Sequence, residues 1–428
     1  MTNLPISIII VGAGFAGLTA AIECHRKGIT NILLLERSPS LSPLGDIISF
    51  GQNSSRIFNN WGDLRRQLDP IIHKAEEVHF HDSKGRYVTT QSFKEEHLAW
   101  GARINGHRGE IHSLVYNYAL SLGITIRLGT SISEYFETPD HAGVKTTGGE
   151  ILAADLVVAA EGVRSKARQL VLGHEDKPLP SGYAVFRTWF PTPPEIYSNP
   201  LTKHLVENGD THHAWIGTDV HFLVASIKNG REISWVCTHA DSSDIDESWQ
   251  FPGKIPEVLD VVKDWDPAVL ALVNVTPENR LFDYKLVFRD PLPTFISPES
   301  RTILIGDAAH PFLPTSIQGA SQAMEDGVVL AVCLSKIRGD KTKLKEAAKV
   351  WERIRYDRVH RIQKTGVQTR EQWHKADWGA IWKNPESLHL LREAWVLDFD
   401  SERDASDRYE QVKEDLEGEG KPSAQGGQ

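Results

Sequence analysis

Three glycines near the N-terminus are spaced so that a phosphate can approach the backbone. Gly12, Gly14 and Gly17 follow an apolar run and open a segment with helical character. Gly12 permits a tight turn, Gly14 leaves room for a diphosphate, and Gly17 allows the helix to pack closely on the preceding strand. The start of that helix offers unpaired N–H groups and the positive end of a dipole to an anion. Glu36, about twenty residues downstream, is placed to accept the hydroxyl groups of a ribose.

The elements around these residues come in the order that a dinucleotide-binding unit requires. A β-branched run at 6–11 predicts a buried strand, 18–27 predicts a helix, and 31–35 predicts a second strand that stops at Glu36. This complete order is far more specific than the glycines alone. The carboxylate favours a free 2′-hydroxyl, as in FAD or NAD, over a 2′-phosphate, and it does not distinguish FAD from NAD.

A second group of residues with a chemical role lies late in the chain. The segment 301–311 reads as a buried strand that ends in Gly306-Asp307, and a helix is predicted at about 321–334, just after Gly319 and Ala320. A carboxylate at the end of a strand can accept a hydrogen bond from a polyol chain. The Gly-Ala pair exposes backbone N–H groups to an electron-rich ring edge.

Together the two motifs resemble those of the class A, single-component FAD monooxygenases of the salicylate and para-hydroxybenzoate hydroxylase type. The pairing of G-x-G-x-x-G…E with G-D-A-A-H-P…Q-G-A…E-D carries the resemblance, which extends from residue 6 to about residue 378. It implies an α/β fold, with a Rossmann-like FAD-binding domain, an inserted antiparallel β-sheet substrate domain and C-terminal helices. The pattern is most similar to that of fungal secondary-metabolism members that act on indole or polyketide substrates.

The resemblance also implies a set of cofactor contacts. Asp307 resembles the acid that binds the FAD ribityl chain, Gly319 and Ala320 resemble backbone donors to the flavin pyrimidine edge, and Pro311 resembles the proline beside C4a. Arg108 matches an arginine that opens a helix and reaches the FAD phosphate or ribityl region; an ordinary salt bridge at a helix start is the alternative. The predicted FAD-binding residues are Gly12, Gly14, Gly17, Glu36, Ser49, Arg108, Asp307, Gly319 and Ala320.

Two residues depart from the family's motifs. Glu161 stands where an aspartate is usual, so its extra methylene changes the contacts open to FAD or to a pyridine nucleotide. Ile317 stands where a glycine usually precedes Gln-Gly. Its bulk is expected to narrow the loop beside the flavin, which restricts flavin movement or reshapes the substrate wall.

Short alternating runs between the two motifs predict the substrate domain. Runs at 185–190, 221–227 and 232–238 have strand character, and 228–231 is a hairpin turn signal. We assign 1–73, 94–179 and 287–340 to the FAD-binding domain, 74–93 and 180–286 to the substrate domain, 341–416 to C-terminal helices, and 417–428 to a disordered tail.

Two charged residues are candidates for catalysis. Arg187 lies between the large apolar residues Phe186 and Trp189, so its charge is not expected on a freely solvated surface. It resembles the arginine that faces the pocket in fungal members of the family, and this resemblance implies that it holds a phenolate or carbonyl oxygen or supports proton delivery. A structural ion pair across the sheet is the alternative. Asp46 lies in the loop that in the family approaches the isoalloxazine edge, where it can accept an N–H or O–H of the substrate or simply cap a turn.

The resemblance implies the reaction as well. NAD(P)H reduces FAD, O2 adds at C4a to give a hydroperoxide, and its distal oxygen hydroxylates or epoxidises an electron-rich aromatic molecule, indole-like or phenolic. Asp46 as an N–H acceptor favours an indole, and thus alkaloid biosynthesis. A single glycine fingerprint is present, so NAD(P)H is expected to bind transiently. A flavin oxidase or dehydrogenase and a non-catalytic FAD-binding protein are the alternatives.

Composition excludes several other classes of protein. The formal net charge of −10 argues against nucleic acid as a partner, and no apolar run approaches the roughly 20 residues of a membrane span. Cys24, Cys237 and Cys333 lie far apart, which fits a reducing compartment and predicts a cytoplasmic location. His79 and His81 lack a third ligand at suitable spacing, so no metal is expected. The late basic residues Arg353, Arg355, Arg358 and Arg361 are interpreted as solvated helix faces and core packing.

Overall fold

The structure, a computed structural model, describes residues 5–41, 45–177, 179–241, 251–289 and 291–419. In this part of the chain a five-stranded parallel sheet and a seven-stranded, mostly antiparallel sheet are the largest sheets, and long helices follow at the C-terminus. The predicted fold class is therefore confirmed. No helix among these residues is long and apolar enough to cross a lipid bilayer.

The secondary structure elements are numbered in chain order. The strands are β1 Ser7–Val11, β2 Asn31–Leu35, β3 Ile47–Phe50, β4 Glu77–Asp82, β5 Tyr87–Ser92, β6 Ile104–His107, β7 Thr125–Arg127, β8 Ile132–Glu137, β9 Ala142–Thr146, β10 Ile151–Ala154, β11 Leu156–Ala159, β12 Leu179–Pro191, β13 Thr211–Gly217, β14 Val220–Ile227, β15 Glu232–Ala240, β16 Leu281–Phe288 and β17 Thr302–Leu304. The helices are α1 Phe15–Arg26, α2 Gln52–Phe58, α3 Leu64–Leu68, α4 Lys94–Trp100, α5 Arg108–Ser121, α6 Ala167–Leu172, α7 Pro194–Ser198, α8 Ile255–Val261, α9 Pro267–Asn274, α10 Gly319–Lys336, α11 Leu344–His374, α12 Trp378–Ile381, α13 Ala394–Leu397 and α14 Ser401–Glu419.

The parallel sheet brings together parts of the chain that are far apart in sequence. Its strand order is β17-β11-β1-β2-β7. Val11 at the end of β1 is paired with Leu35 of β2 and with Ala159 of β11, and β17 lies beside β11. The carboxyl ends of these strands therefore share one edge, which is where ligands bind in open α/β sheets.

The seven-stranded sheet has the order β16-β12-β15-β14-β13-β4-β5, and the predicted turn at 228–231 joins β14 to β15. Side chains alternate between its two faces. One face, with Phe190, Phe222 and Trp235, packs on α8 and α9. The opposite face, which we call the inner face, packs against Ile47 of β3 and Trp373 of α11. The inner face is therefore directed toward the centre of the molecule.

The helix boundaries differ from the sequence expectation by a few residues. The helix predicted at 18–27 is α1, which begins at Phe15, and the one predicted at 321–334 is α10, which begins at Gly319. Each begins earlier because the glycines of the motif form its first turn. The last helix ends at Glu419, so 417–419 of the predicted tail are helical; the rest of that segment lies outside the described residues.

Candidate functional site

The glycine-rich turn after β1 is shaped by its three glycines in different ways. Gly12 has φ +105°, and a Cβ atom there would overlap the carbonyl oxygen of Ala160. A Cβ at Gly17 would overlap the carbonyl oxygen of Gly12. Gly14 is exposed, and a Cβ there would meet no atom within 4 Å. Gly12 and Gly17 therefore allow the turn to fold, whereas Gly14 faces open space.

Glu36 lies at the end of β2 beside this turn. Its carboxylate accepts hydrogen bonds from the backbone N–H of Ala13 at 2.9 Å and of Ser38 at 2.8 Å. Helix α1 begins at the same point without a side-chain cap or an acidic residue in its first turn. Its first N–H groups have no intrahelical acceptor. The turn thus offers amide donors for a diphosphate and a fixed carboxylate for a ribose, which fits the adenosine diphosphate half of FAD.

Asp307 and Arg108 are 199 positions apart in sequence and are brought together at the same edge of the sheet. The Asp307 side chain is exposed to solvent, yet desolvation by the surrounding protein raises the pKa of its carboxyl, while the charges of His310 and Arg108 act in the opposite direction. Arg108 begins α5, and its backbone N–H donates to the Asp46 carbonyl oxygen at 3.0 Å. An accessible acid at this edge suits the ribityl hydroxyls of FAD.

The start of α10 supplies the second set of backbone donors. Helix α10 begins at Gly319, and its N-cap residue, Gln318, makes no capping hydrogen bond with its side chain. The N–H groups of Gly319 and Ala320 therefore lack intrahelical acceptors, and both residues are half-buried. This arrangement fits the pyrimidine edge of a flavin. The structure thus contains suitable groups for both ends of FAD.

Glu325, in the middle of α10, is the centre of a buried charge network. Its carboxylate accepts from Asn53 Nδ2 at 2.6 Å, from Arg355 Nη1 at 2.5 Å and from Arg358 Nε at 2.8 Å. Burial raises the pKa of Glu325, but the charges of Arg358 and Arg355 outweigh it and lower the pKa to about 2. Asn53 Nδ2 also donates to Gln318 Oε1 at 3.0 Å. The network therefore reaches the residue before Gly319.

Asp326, the next residue, holds the segment that carries Asp307. It accepts from the Gly306 N–H at 2.8 Å, from His310 Nε2 at 2.7 Å and from Arg355 Nε at 2.8 Å. Arg355 is fully buried, so among the late basic residues it belongs to the core packing and not to a solvated helix face. Sequence reasoning missed its role because a basic residue on a long helix is usually solvated, and its acidic partners are about thirty positions away.

The two predicted catalytic residues are in contact. Arg187 Nη1 donates to Asp46 Oδ2 at 3.2 Å, and Arg187 is only 6% exposed. Its guanidinium carbon also lies 5.4 Å from the centre of the Tyr284 ring. The pair joins β12 of the inner face to the loop before β3. The ion pair expected as the alternative for Arg187 would lie across the sheet, whereas this pair joins the inner face to a loop outside the sheet, and the catalytic role of both residues stays a prediction.

The surroundings of this ion pair are apolar. Arg187 is paired with Val236 of β15, and Val236 is paired in turn with Leu223 of β14. Both Val236 and Leu223 are half-buried, unlike the fully buried residues on the opposite face of these strands. Accessible apolar side chains beside one compensated charge form a wall suited to a flat, mostly apolar molecule.

Ser49, on β3, is engaged by a neighbouring strand. It pairs with Asn105 of β6, whose amide donates to Ser49 Oγ at 2.9 Å in the orientation that satisfies both amide atoms. Ser49 is half-buried, so its backbone and hydroxyl are partly accessible. Its contact with FAD stays a prediction.

Glu161 lies just after β11, beside the glycine-rich turn. Its Oε1 accepts from the Lys166 N–H at 2.6 Å, whereas Oε2 is buried and has no hydrogen-bond partner. Burial raises the pKa of Glu161 to about 7. The longer side chain therefore leaves a carboxyl that is partly protonated at neutral pH and incompletely satisfied.

Histidines cluster away from this site, on the face of the seven-stranded sheet that bears Trp215. His81 Nε2 lies 3.3 Å from His213 Nδ1, and the His81 ring stacks on Trp215 with centroids 4.9 Å apart. Burial lowers the pKa of His81 to about 4 and that of His213 well below its usual value. Within the ranges described, no group of three or more His, Cys, Asp or Glu side chains is arranged to hold a metal ion.

Comparisons with known proteins bear on this site. Residues 6–248 match the model of the family described as FAD binding domain. The chain is 34% identical to the asperlicin C monooxygenase of Petromyces alliaceus, over 95% of this chain and 89% of that protein. It is 35% identical to the FAD-dependent monooxygenase nanF of Aspergillus nanangensis, over 96% and 91%.

Solved structures also match the chain over nearly its whole length. A crystal structure of CtdE in complex with FAD and substrate 4 matches with a TM-score of 0.88 and 32% identity, covering 96% of this chain and 100% of that one. A salicylate hydroxylase substrate complex matches with a TM-score of 0.78 at 21% identity, which supports the fold alone.

Proposed function

The chain belongs to the FAD-binding-domain family of FAD-dependent monooxygenases, and from this premise we propose that its substrate is an uncharged, electron-rich nitrogen heterocycle of the indole type. The enzyme uses FAD, with NAD(P)H and O2 as co-substrates. Bound FAD supplies the transfer of electrons from NAD(P)H to O2 and of one oxygen atom to the substrate. An oxidase, a dehydrogenase and a non-catalytic FAD protein are set aside because monooxygenases match nearly the whole chain.

The ion pair between Asp46 and Arg187 supports a neutral substrate. An arginine without a counter-charge on an apolar wall would favour a phenolate or a carboxylate. Here the carboxylate of Asp46 already compensates the guanidinium at 3.2 Å. An anionic ring on this wall would lose its hydration without gaining a net attraction. A neutral ring avoids that cost, and the half-buried Asp46 carboxylate can accept its N–H.

Arg187 has a second task in this proposal. As an electrophilic oxygen is transferred to a neutral ring, the ring becomes more positive and the electron pair of the broken O–O bond would stay on the oxygen left behind, so negative charge would develop on that oxygen. A guanidinium held in a fixed place can donate to that oxygen and stabilise the charge. Asp46 keeps the guanidinium oriented, and the apolar side chains of Val236 and Leu223 exclude water.

The cofactor contacts are part of the same proposal. Gly12, Gly14 and Gly17 with α1 hold the diphosphate, Glu36 holds the ribose, and Arg108 with Asp307 holds the ribityl region. Ser49, Gly319 and Ala320 bind the flavin. Glu36→Ala or Asp307→Ala is expected to lower FAD occupancy, measured by absorbance at 450 nm; full occupancy in both variants would contradict these assignments.

The setting of the reaction is proposed from the relatives and the cysteines. The two relatives named above come from Petromyces and Aspergillus, which favours a role in fungal secondary metabolism and alkaloid biosynthesis. Cys24, Cys237 and Cys333 are free and buried, in accord with a reducing location such as the cytoplasm.

The decisive experiment compares neutral and anionic rings. NADPH oxidation and product formation are measured with a panel of indoles, and with phenols at pH values below and above their ionisation. Indoles are expected to give coupled turnover. Arg187→Ala should keep FAD and lose product formation by about 10²-fold, as expected for loss of a charge-stabilising donor. Asp46→Asn should shift preference toward phenolates, because it leaves the guanidinium uncompensated.

Two outcomes would overturn the proposal. Preference of the native enzyme for phenolates would refute a neutral substrate. Unchanged product formation in Arg187→Ala would show that the ion pair is only structural.

A further inference from the structure

Ile317 has a backbone conformation that β-branched residues rarely adopt. Its φ is +54° and its ψ is 22°, in the left-handed region. It ends the short 3₁₀ turn at 314–316, and its N–H donates to the Pro314 carbonyl oxygen at 3.0 Å. Glycine would take this conformation without cost, whereas isoleucine is strained there. Such strain persists only where the surrounding structure imposes it.

The side chain of Ile317 shows what imposes the strain. It is half-buried and packs with a hydrophobic cluster formed by the inner face and by helix α11. That cluster contains Ala214 on β13, with Leu223 of β14 packed against it, and Trp373 from α11. The packing therefore ties this residue to the substrate sheet as well as to its own loop.

The loop is also fixed from the other side. Thr315 Oγ1 donates to the Gly366 carbonyl oxygen at 2.6 Å. A Cβ at Gly366 would lie 3.0 Å from the Ser316 Cβ, so α11 and the loop are in close contact. Because the inner face contacts this loop on one side and α11 on the other, the conformation of residue 317 determines how the chain enters α10.

The residues that follow are the predicted donors to the flavin. Ser316 Oγ accepts from the Gln318 N–H at 3.2 Å, and α10 begins at the next residue, Gly319. A rotation of the backbone at 317 would redirect the N–H groups of Gly319 and Ala320, because the Gln318 side chain, which accepts from Asn53, makes no capping hydrogen bond to them.

We propose that Ile317 is a positioning residue: its packing on the inner face holds the loop in a strained conformation and thereby aligns the Gly319 and Ala320 amides with the pyrimidine edge of FAD. The proposal rests on the assignment of these two amides to the flavin. Aligned donors stabilise the negative charge of reduced flavin, so they raise its midpoint potential.

The test compares three variants of the FAD-loaded enzyme. Ile317→Gly and Ile317→Asn tolerate the left-handed conformation but lack the packed side chain. Ile317→Val keeps a β-branched side chain in the cluster. Hydrogen exchange of 313–320 and the midpoint potential of the flavin are measured for each, with FAD occupancy and the thermal midpoint as references.

The Gly and Asn variants are expected to exchange about tenfold faster in this loop, with FAD still bound. If the affinity for reduced flavin relative to oxidised flavin falls tenfold in these variants, the midpoint potential of the flavin falls by about 30 mV. Ile317→Val should match the native enzyme in both measurements. A merely structural residue would change the thermal midpoint and leave the potential in place.

Several results would overturn the proposal. One is that Ile317→Gly has the same hydrogen-exchange rate in 313–320 and the same flavin midpoint potential as the native enzyme. Another is that exchange becomes faster while the midpoint potential stays native. The third is that the Ile317→Gly and Ile317→Asn variants both lose FAD. None of these measurements uses a substrate, so failure here is separate from failure of the indole proposal, which depends on the substrate panel and on Arg187.

Discussion

The carboxyl edge of the parallel sheet and the inner face of the seven-stranded sheet present different kinds of groups to the ligands that we propose for them. At the edge, open space at Gly14 and the unpaired N–H groups of two helix starts present backbone to a ligand. On the inner face, an ion pair and apolar side chains contributed by separate segments form the wall. A cofactor shared by many proteins can be bound by backbone, whereas a particular substrate requires side chains.

The carboxyl edge and the outer face of the seven-stranded sheet, which lies opposite the inner face, differ in how burial affects their titratable groups. At the cofactor edge, burial raises the pKa of the Asp307 and Glu161 carboxyl groups. In the seven-stranded sheet, burial lowers the pKa of histidines such as His81 and His213. In both cases desolvation disfavours the charged form, so acids and bases shift in opposite directions.

The largest effect is expected from Arg355→Met, which tests whether the cofactor edge depends on backbone alone. It leaves the buried carboxylates of Glu325 and Asp326 without their shared partner, so the free energy of unfolding should fall by about 3–5 kcal/mol. Because both acids hold segments that we propose to bind FAD, FAD occupancy should fall too. Urea unfolding and absorbance at 450 nm measure the two effects.

Lys349→Met is the matched control, on an exposed position of the same helix. It should change stability by no more than about 0.5 kcal/mol. An Arg355→Met enzyme with native stability and full FAD occupancy would show that these side chains are not needed to hold the backbone at this edge in place.

A pair of glycine variants sharpens the same comparison. Gly17→Ala should prevent normal folding, because its Cβ would overlap the Gly12 carbonyl oxygen. Gly14→Ala should fold with a nearly native thermal midpoint, since its Cβ meets no protein atom, yet bind FAD more weakly by about tenfold or more. Circular dichroism and FAD titration by fluorescence separate the two. Equal FAD affinity in native and Gly14→Ala protein would refute the role of Gly14.

Stability of the histidine-rich sheet is expected to depend on pH. The pKa of His81 is about 4 in the folded protein, below its usual value of 6.5. The unfolded chain therefore binds more protons between these two pH values. The contribution of His81 to the free energy of unfolding is thus complete above pH 6.5 and is lost as the pH falls toward 4. At pH 5 the loss is about 2 kcal/mol for such a histidine.

Replacing His81 with Phe keeps an aromatic ring stacked on Trp215 and removes the group that binds a proton. Chemical unfolding from pH 7.5 to 5 should then show a shallower decline than in the native protein. The exposed His174, replaced with Gln, provides the control. An identical pH profile in His81→Phe would contradict the predicted linkage.

The smallest effect is expected at Glu161, where stability depends on pH in the direction opposite to that expected for His81. Its pKa of about 7 lies above the usual 4.5, so its favourable contribution is complete below pH 4.5 and is lost as pH rises through 7. Glu161→Gln resembles the protonated form and should raise stability at pH 8 by on the order of 1 kcal/mol. No gain at pH 8 relative to pH 5 would show that the carboxyl is satisfied in the native enzyme.

Much of the fold around the candidate cofactor site could be predicted because the relevant constraints are local. The strand before Gly12, the strand ending at Leu35 and the turn at 228–231 are all present. Arg355 could not be predicted as a buried residue, since its hydrogen-bond partners come from a different helix. The early starts of α1 and α10 were missed because a glycine disfavours a helix interior but not a first turn.

By itself, the sequence determined the glycine fingerprint, the acid after the second strand, the Gly-Asp end of a late strand and the fold class. These follow from backbone conformation and hydrophobic periodicity over a few residues. Only the tertiary structure decided that Asp46 pairs with Arg187, that Arg355 joins Glu325 to Asp326, and that Ile317 is strained against the inner face. Strand order and helix packing bring these groups together from distant parts of the chain, so no short stretch of sequence contains that information.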